Sequence, residues 1–238
     1  MDTILFDLDG SLLPMDQDLF VGGYFRELAK KISTLGFKAD EAVQAVKHAT
    51  GMMLKNDGAV TNEDRFWQVF ESLMGEGVRK HAGFFDDFYH NEFNRLIISS
   101  DPTPLAAKCV QAAIRKGYDA VLATNPIFPR AGTLSRIAWA GLDAGSFKLI
   151  TTYEDFHYCK PDLRYYLEVL QKVGRLPKDC LMAGNDVAED MCAEELGMAV
   201  FLIDTCLINP TGRDVSAFRK GGLGELTSFI EVLPEAGN

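Results

Sequence analysis

The sequence predicts an α/β protein: a doubly wound parallel sheet with an all-helical domain inserted after the first strand. From residue 100 onward, short apolar runs alternate with helical patterns, and such alternation forms parallel βαβ units with right-handed crossovers. Between about residues 21 and 98 the pattern is helical throughout. We therefore predict an α/β core domain of residues 1–14 and 100–238 and a helical domain of residues 15–99.

The N-terminal half contains one predicted strand and four helical patterns. The apolar run that begins at residue 4 predicts the strand. Residues 12–19 lack periodicity and include Pro14, which predicts a loop. The helical patterns follow at residues 25–32, 42–49, 66–73 and 84–93. Their many phenylalanines suit a small helical module that packs on its own core.

The C-terminal half predicts the rest of the sheet. The sequence Asp101-Pro102-Thr103-Pro104 ends the helical region and starts a new helix, because proline is favoured in a first turn. The predicted strands are residues 120–124, 147–151, 180–183 and 198–203. The predicted helices are residues 105–116, 134–140, 163–173, 187–196 and 223–232. Ligands of such a sheet bind beyond the carboxyl ends of its strands, so those ends are the places to look for a site.

Composition restricts the possible partners. The chain has 238 residues, of which 47% are hydrophobic and 24% charged, as in globular proteins that bury a core. A net charge of −10 argues against binding to nucleic acid or to an anionic membrane. The five scattered cysteines form no C-x-x-C pair, which argues against a zinc site or a disulfide framework. We expect a cytoplasmic protein without nucleic-acid or membrane partners, and composition leaves the oligomeric state open.

Two carboxylates follow the first strand. Asp7 and Asp9 are two positions apart, so in an extended chain their side chains point to the same face. Two negative charges at this distance repel each other unless a cation lies between them or the two carboxyl groups take different roles. Such a pair can bind a metal, or one carboxylate can act as a nucleophile and the other as an acid. A plain Asp-Gly turn at residues 9–10 is the other interpretation.

Further polar residues stand at the ends of the predicted strands, with Ser11 after the first strand and the others at or after later ones. The candidates are Ser11, Thr124, Asn125, Lys160, Asp186 and Asp190. Carboxylate oxygens with few soft ligands suit Mg²⁺, and Lys160 and Thr124 could bind the oxygens of an anion. Phosphoryl transfer needs this positioning and charge stabilisation. Asp186 and Asp190 could instead be charges that stabilise the N-terminus of a helix.

Four segments resemble, in order, the four motifs of the haloacid dehalogenase-like hydrolase superfamily. Residues 4–11 resemble motif I, with serine at position 11 where threonine or valine is commoner, and residues 121–125 resemble motif II. Residues 160–162 resemble motif III, and residues 182–190 resemble motif IV. The inserted helical domain resembles the C1 cap of that superfamily. The resemblance implies a Rossmann-like core whose cap closes over the active site, with hinges near residues 14–20 and 99–104.

The resemblance also implies roles for the site residues. Asp7 would be the nucleophile that attacks phosphorus, and Asp9 the general acid and base. Thr124 and Lys160 would hold the transferred phosphoryl oxygens. We assign substrate binding to Ser11, Thr124, Asn125 and Lys160.

The metal ligands implied by the resemblance are Asp7, Asp9 through its main-chain carbonyl, Asp186 and Asp190. Motif IV departs from the usual pattern, because Asn185 directly follows the motif's glycine. Either Asn185 or Asp186 could take the first ligand position. We favour Asp186 because a charged oxygen binds Mg²⁺ better than an amide oxygen does.

The leading hypothesis is a Mg²⁺-dependent phosphohydrolase that cleaves a small phosphorylated metabolite through an aspartyl-phosphate on Asp7. Dehalogenases of the superfamily lack the second motif I aspartate, so Asp9 favours phosphorus chemistry. A phosphomutase like β-phosphoglucomutase remains an alternative, since it keeps both aspartates and the cap. A non-catalytic Mg²⁺-binding phospho-acceptor module, like a receiver domain, is an alternative of another class. Arg65 and the polar face of residues 86–94 are candidate substrate contacts in the cap.

Overall fold

The computed structural model describes residues 1–75 and 77–237 and contains a six-stranded sheet. The strands are β1 (Thr3–Phe6), β2 (Asp119–Leu122), β3 (Leu149–Ile150), β4 (Cys180–Gly184), β5 (Ala199–Ile203) and β6 (Lys220–Gly221). All neighbouring strands are parallel, in the order β3-β2-β1-β4-β5-β6. Strands β2 and β3 extend the sheet on one side of β1, and β4, β5 and β6 extend it on the other side. This reversal places the switch point, where such sheets bind ligands, at the end of β1.

Eight α-helices accompany the sheet in the described part of the chain. They are α1 (Gln17–Ser33), α2 (Ala39–Met53), α3 (Asn62–Met74), α4 (Ala82–His90), α5 (Pro104–Arg115), α6 (Arg130–Trp139), α7 (Leu163–Val173) and α8 (Leu223–Val232). Short 3₁₀ helices include Glu92–Ser99 and Met191–Leu196. In the part of the chain covered by the structure, no helix is both long and apolar enough to cross a bilayer.

The central strand explains why helices lie on both faces of the sheet. All four residues of β1 are buried, as expected for a strand inside a parallel sheet. Alternate side chains face opposite ways. Ile4 and Phe6 pack in the cluster that contains apolar residues of α5 and α8, whereas Leu5 packs in the cluster that contains those of α7. The predicted doubly wound α/β fold is confirmed.

The helical segment leaves and rejoins the core at one place. Met15 and Ser100 form an antiparallel bridge. The N–H of Asp16 donates to the carbonyl of Ser99 at 2.9 Å, and the N–H of Asp101 donates to the carbonyl of Pro14 at 2.8 Å. The two connections are thus paired at the positions predicted for the domain boundaries. The assignment of residues 15–99 as a separate domain stays a prediction.

The packing of the helical segment differs from the expected self-contained core. The ring of Phe93 stacks on Trp139 of α6 at 5.2 Å and lies 6.1 Å from Phe128, which follows β2. The buried residues of the segment and one face of the sheet belong to a single apolar cluster. The helical segment is therefore joined to α6 by aromatic packing in this structure.

Several predicted elements begin or end elsewhere. The loop expected at residues 12–19 ends early because Asp16 caps α1, accepting the N–H of Leu19 at 2.9 Å. The helix expected at residues 84–93 is interrupted at Asn91, whose φ of −119° and ψ of −84° are not helical. Strand β3 has only two residues of the five expected. Strand β6 was not predicted, because its two residues form no apolar run.

The helix expected at residues 187–196 is a turn followed by the 3₁₀ helix Met191–Leu196. The Asp186 carboxylate accepts the N–H groups of Ala188 at 2.8 Å and Glu189 at 3.0 Å. An aspartate that binds the backbone ahead of it favours a turn over a helix. This local competition explains why the α-helical prediction is wrong here.

Candidate active site

A cavity of about 360 Å³ lies at the carboxyl ends of β1, β2 and β4. Its acidic floor consists of the lining residues that follow those strands: Asp7, Asp9, Thr124, Asn125, Asn185, Asp186, Glu189 and Asp190. Its wall consists of the other lining residues: Gln17, Phe20, Val21, Tyr24, Phe25, Thr50, Ile127, Phe128 and Ile208. Five carboxylates therefore face a mostly apolar surface that α1 contributes in large part.

Asp7 is held at the end of β1 by bonds from three directions. Its N–H continues the strand pairing by donating to the carbonyl of Ala183 at 2.9 Å. The Lys160 Nζ donates to Asp7 Oδ1 at 3.0 Å. The Ser11 Oγ lies 2.9 Å from Asp7 Oδ2 and 2.8 Å from Asn185 Oδ1, and its single proton can serve one of them at a time. The carboxylate of Asp7 is thus fixed on both oxygens.

Gly10 is required by the turn that follows Asp7 and Asp9. Its φ of +84° lies in the left-handed region that glycine adopts without strain. A Cβ atom at this position would also collide with the side-chain amide of Asn185. The turn therefore lets motif I and motif IV approach closely, which brings Ser11 against Asn185.

Lys160 connects two of the carboxylates. It is almost completely buried, and its Nζ donates to Asp190 Oδ1 at 2.6 Å as well as to Asp7. Burial alone would lower the pKa of Lys160, but the charges of Asp190 and Asp7 outweigh it and hold that pKa well above its usual range. Lys160 is therefore a permanent ammonium ion beside the Asp7 carboxylate.

Asp190 connects Lys160 to the motif IV turn within the floor. Its Oδ2 accepts the N–H of Asp186 at 3.0 Å, and its Oδ1 accepts the ammonium of Lys160. Burial raises the pKa of Asp190 to about 6, although the charge of Lys160 opposes that shift. A Cβ atom at position 184 would collide with the Asp190 carboxylate, so the glycine of motif IV is needed there.

Asn185 and Asp186 have different surroundings. Asn185 is buried, its Nδ2 donates to the carbonyl of Cys206 at 2.7 Å, and its Oδ1 shares the Ser11 hydroxyl with Asp7. Asp186 is partly exposed and its carboxylate is bound to the N–H groups of its own turn. Asn185 is thus linked to Asp7 through one hydroxyl, whereas Asp186 is occupied locally.

Asp9 has a partner that the sequence motifs did not suggest. Its Oδ2 forms an ion pair with Arg136, a residue of α6 that is only 1% exposed. Arg136 also donates to the carbonyl of Gly132 at 3.2 Å and to the Thr133 hydroxyl at 3.3 Å, and it stacks 4.4 Å from the centre of the Phe128 ring. The signal that could have indicated this role is a charged residue on the buried face of a helix.

The two carboxylate oxygens of Asp9 have different surroundings. Its Oδ1 is buried and has no hydrogen-bond partner within residues 1–75 and 77–237. Burial raises the pKa of the Asp9 carboxyl, the Arg136 guanidinium opposes that shift, and the charge of Asp7 adds to it. Asp9 therefore keeps a higher proton affinity than an ordinary carboxylate.

Thr124 and Asn125 complete the floor. The carbonyl of Thr124 accepts the Thr151 hydroxyl at 2.5 Å and the Tyr165 hydroxyl at 3.0 Å, which fixes the chain after β2. The Nδ2 of Asn125 donates to Glu189 Oε2 at 3.0 Å. Burial raises the pKa of Glu189 to about 7. Asn125 therefore ties motif II to the motif IV turn.

The cap residues expected to contact substrate lie elsewhere in this structure. Arg65 pairs with Asp57 at 2.8 Å and is not among the described residues that line the cavity. The polar face of residues 86–94 is engaged outside it, for example in the pair of Lys31 with Asp87 at 2.5 Å. The helical segment contributes α1 and Thr50 of α2 to the wall instead.

The donor set suits a hard cation by its chemistry. The floor offers only oxygen ligands, and its five carboxylates exceed the two buried cations that touch them, Lys160 and Arg136. Within the described ranges, however, no three carboxylate, histidine or cysteine side chains are gathered around one point. The side chains of the predicted ligands Asp186 and Asp190 are bound to the 186–189 turn and to Lys160. The predicted ligand atom of Asp9 is its main-chain carbonyl, so the pairing of its side chain with Arg136 leaves that prediction untested.

Comparison with known proteins gives a family and a fold. A model of haloacid dehalogenase-like hydrolases matches residues 1–193. A HAD phosphatase from Thermococcus onnurineus is 19% identical, with a TM-score of 0.57 over 97% of this chain and 98% of its own. The L-2-haloacid dehalogenase from Xanthobacter autotrophicus, with chloropropionic acid covalently bound, is 15% identical, with a TM-score of 0.58 over 98% of this chain and 99% of its own.

A predicted phosphoglycolate phosphatase from Haemophilus somnus is 18% identical, with a TM-score of 0.57 over 96% of this chain and 97% of its own. No curated protein sequence matches the chain. At these identities the likeness establishes the fold alone. Since the similar structures include phosphatases and dehalogenases, the choice between the two reactions depends on the residues of the site.

Proposed function

We propose a phosphatase reaction for this chain, which belongs to the haloacid dehalogenase-like hydrolase family. Specifically, it would be a Mg²⁺-dependent phosphohydrolase of a small phosphorylated metabolite. The observation that carries the proposal is the pair of aspartates after β1, each with its own cation. Asp7 is bound by Lys160 and Asp9 by Arg136. Two carboxylates in different surroundings suit two different roles.

Asp7 would act as the nucleophile. Its carboxylate oxygen attacks phosphorus, the bond from phosphorus to the ester oxygen breaks, and Asp9 gives its proton to the departing oxygen. Water then attacks phosphorus, Asp9 takes a proton from that water, and the bond from phosphorus to Asp7 breaks. The sum is ester plus water giving alcohol plus phosphate, and the enzyme returns to its starting state.

The surroundings of Asp9 support both halves of its role. Burial raises the pKa of this carboxyl, which favours the protonated form that the first step needs. The Arg136 guanidinium opposes that shift, which favours the carboxylate that the second step needs. A proton donor and acceptor works best when neither form is strongly preferred.

Lys160, Thr124 and the metal would neutralise the phosphoryl group. Lys160 is an ammonium next to Asp7, and Thr124 is one of the residues that line the floor. The Asp7 carboxylate, the Asp9 carbonyl and a motif IV oxygen of Asn185 or Asp186 would hold Mg²⁺. When bound, the ion would supply positive charge to the phosphoryl oxygens. The close link of Asn185 to Asp7 supports the amide oxygen of Asn185 as that ligand.

Leaving-group chemistry favours phosphatase over dehalogenase. A halide is stable as an anion and leaves without a proton. The cleavage of a carbon–halogen bond therefore needs no general acid such as Asp9. An alkoxide leaves far more easily when it is protonated. A phosphomutase would use the same first step and differ in passing the phosphoryl group to a second hydroxyl in place of water.

The test is hydrolysis of p-nitrophenyl phosphate with and without Mg²⁺, alongside halide release from 2-chloropropionate. We expect Mg²⁺-dependent release of phosphate and no release of halide. The Asp57→Asn variant is the matched control for Asp7→Asn, since Asp57 is exposed and lies outside the cavity. Halide release, or a wild type as inactive as Asp7→Asn on a broad panel of phosphate esters, would refute the phosphatase proposal.

A further inference from the structure

The wall of the cavity indicates which alcohol the phosphate is attached to. The acidic floor would take the phosphoryl group, so the rest of the substrate must lie against the wall. The wall presents Phe20, Val21, Tyr24 and Phe25 from α1, together with Phe128. The polar wall residues Gln17 and Thr50 are uncharged. The surface that meets the leaving group is thus largely apolar.

The wall is held in place by its own packing. The ring of Phe128 lies 5.5 Å from Tyr24 and 6.0 Å from Phe20, both in edge-to-face contact. The Tyr24 hydroxyl is hydrogen-bonded to that of Tyr89 at 2.9 Å. These contacts fix the ring of Tyr24 and occupy its polar end. The wall therefore offers ring faces and edges, on which an aromatic group packs well.

Charge excludes a second anionic group on the substrate. In the part of the chain that the structure describes, no lysine, arginine or histidine lines the cavity. The nearby cations are each 1% exposed: Arg136 is paired with Asp9, and Lys160 is paired with Asp7 and Asp190 and is assigned to the phosphoryl group, so neither reaches the leaving group. A carboxylate or second phosphate on the leaving group would be buried near five carboxylates without a partner, which is strongly unfavourable.

We propose that the substrate is a phosphate monoester of an uncharged, ring-bearing alcohol or phenol. This inference depends on the proposed phosphatase function and narrows its substrate class. A cavity of about 360 Å³ has room for a phosphoryl group and a ring of this kind, near the lower limit of small-molecule sites. Esters with an anionic leaving group, such as sugar bisphosphates and phosphorylated carboxylic acids, fall outside the class.

The test compares phenyl phosphate with 4-carboxyphenyl phosphate. The carboxylate withdraws electrons and makes its phenol a slightly better leaving group, so intrinsic reactivity favours the charged ester. We expect the reverse in the enzyme, with kcat/KM at least about tenfold higher for phenyl phosphate. If wild type cleaves the carboxylated ester as well or better, the substrate class is wrong while the phosphatase proposal stands. If it cleaves neither ester nor p-nitrophenyl phosphate, both proposals fail.

A cation added to the wall should abolish the preference for the uncharged ester. Val21 lines the cavity, whereas Leu19, on the same helix and equally exposed at 46%, does not. We expect Val21→Lys to raise the kcat/KM ratio of carboxylated to plain ester about tenfold, and Leu19→Lys to leave it unchanged. Equal effects of the two lysines would contradict the assignment of the wall to the leaving group.

Discussion

The floor and the wall of the cavity are held by different forces. Floor residues are fixed by ion pairs and short hydrogen bonds, such as those of Lys160 with Asp7 and Asp190. Wall residues are fixed by aromatic packing, such as that of Tyr24 against Phe128. Directed bonds can fix a reacting oxygen in one position, whereas packed rings only define a shape and a polarity. The floor is thus suited to the chemistry, and the wall to the choice of substrate.

The largest effect should come from removing the nucleophile in the floor. Asp7→Asn keeps the shape of the side chain but removes the charge that attacks phosphorus. We expect hydrolysis of p-nitrophenyl phosphate to fall by about four orders of magnitude or more, as for other covalent nucleophiles. Steady-state kinetics measure this loss, with Asp57→Asn expected to retain wild-type activity. Substantial activity in Asp7→Asn would contradict the assignment of Asp7 as the nucleophile.

Lys160→Met should show how much the floor depends on its buried cation. Asp7 and Asp190 would then lie buried together without a counter-charge, which we expect to lower the free energy of unfolding by about 3–5 kcal/mol. Urea denaturation measures the change. Lys108→Met, at an exposed position of α5, is the control and should have little effect. A loss below about 1 kcal/mol would contradict the described network.

Arg136→Met should separate the proton step from the rest of catalysis. Without its partner the Asp9 carboxyl loses a fixed orientation, so esters whose leaving oxygen needs a proton should suffer most. We expect kcat for 3-phenylpropyl phosphate to fall about tenfold to a hundredfold, and kcat for p-nitrophenyl phosphate to fall less. Arg136→Lys should recover part of the loss. Equal losses for both esters would contradict a role of Arg136 in delivering the proton to the leaving oxygen.

The smallest effect should come from Arg65, which lies outside both floor and wall. Its partner Asp57 is 70% exposed, so the pair is screened by water and Arg65→Gln should change the free energy of unfolding by less than about 1 kcal/mol. KM for phenyl phosphate should stay at the wild-type value. A large rise in KM would show that the helical segment brings Arg65 to the substrate, as the sequence predicts. Arg65 would then have to be added to the residues of the wall.

Much of the floor could be predicted from the sequence because it depends on strand ends. An apolar run followed by Asp7 and Asp9 indicates both the central strand and the polar edge. Parallel strands bring Thr124 and Asp190 to that same edge, where Lys160 contacts Asp7 and Asp190. These contacts follow from topology and local pattern. The fold class was predictable for the same reason, whereas the family was predictable from the resemblance of four segments to its motifs.

The rest depends on tertiary contacts that leave no local pattern. Arg136 lies within an ordinary helix, and only the packing of α6 brings it to Asp9. The turn at Asp186 arises from a competition between side chain and helix for the same N–H groups. The wall of the cavity could not be predicted from the sequence either. Helix α1 begins within the predicted loop, and the spacing of its apolar residues is the same as that of residues packed in a core.

The most direct test of the phosphatase mechanism is the mass of the Asp9→Asn variant after incubation with Mg²⁺ and p-nitrophenyl phosphate. This ester needs little help from an acid, so Asp7 should still be phosphorylated, while the water that completes the reaction is no longer activated. We expect the variant to gain one phosphoryl group on the peptide that contains Asp7, and Asp7→Asn/Asp9→Asn to gain none. Phosphate release without any modified peptide, or a modification elsewhere, would contradict nucleophilic attack by Asp7.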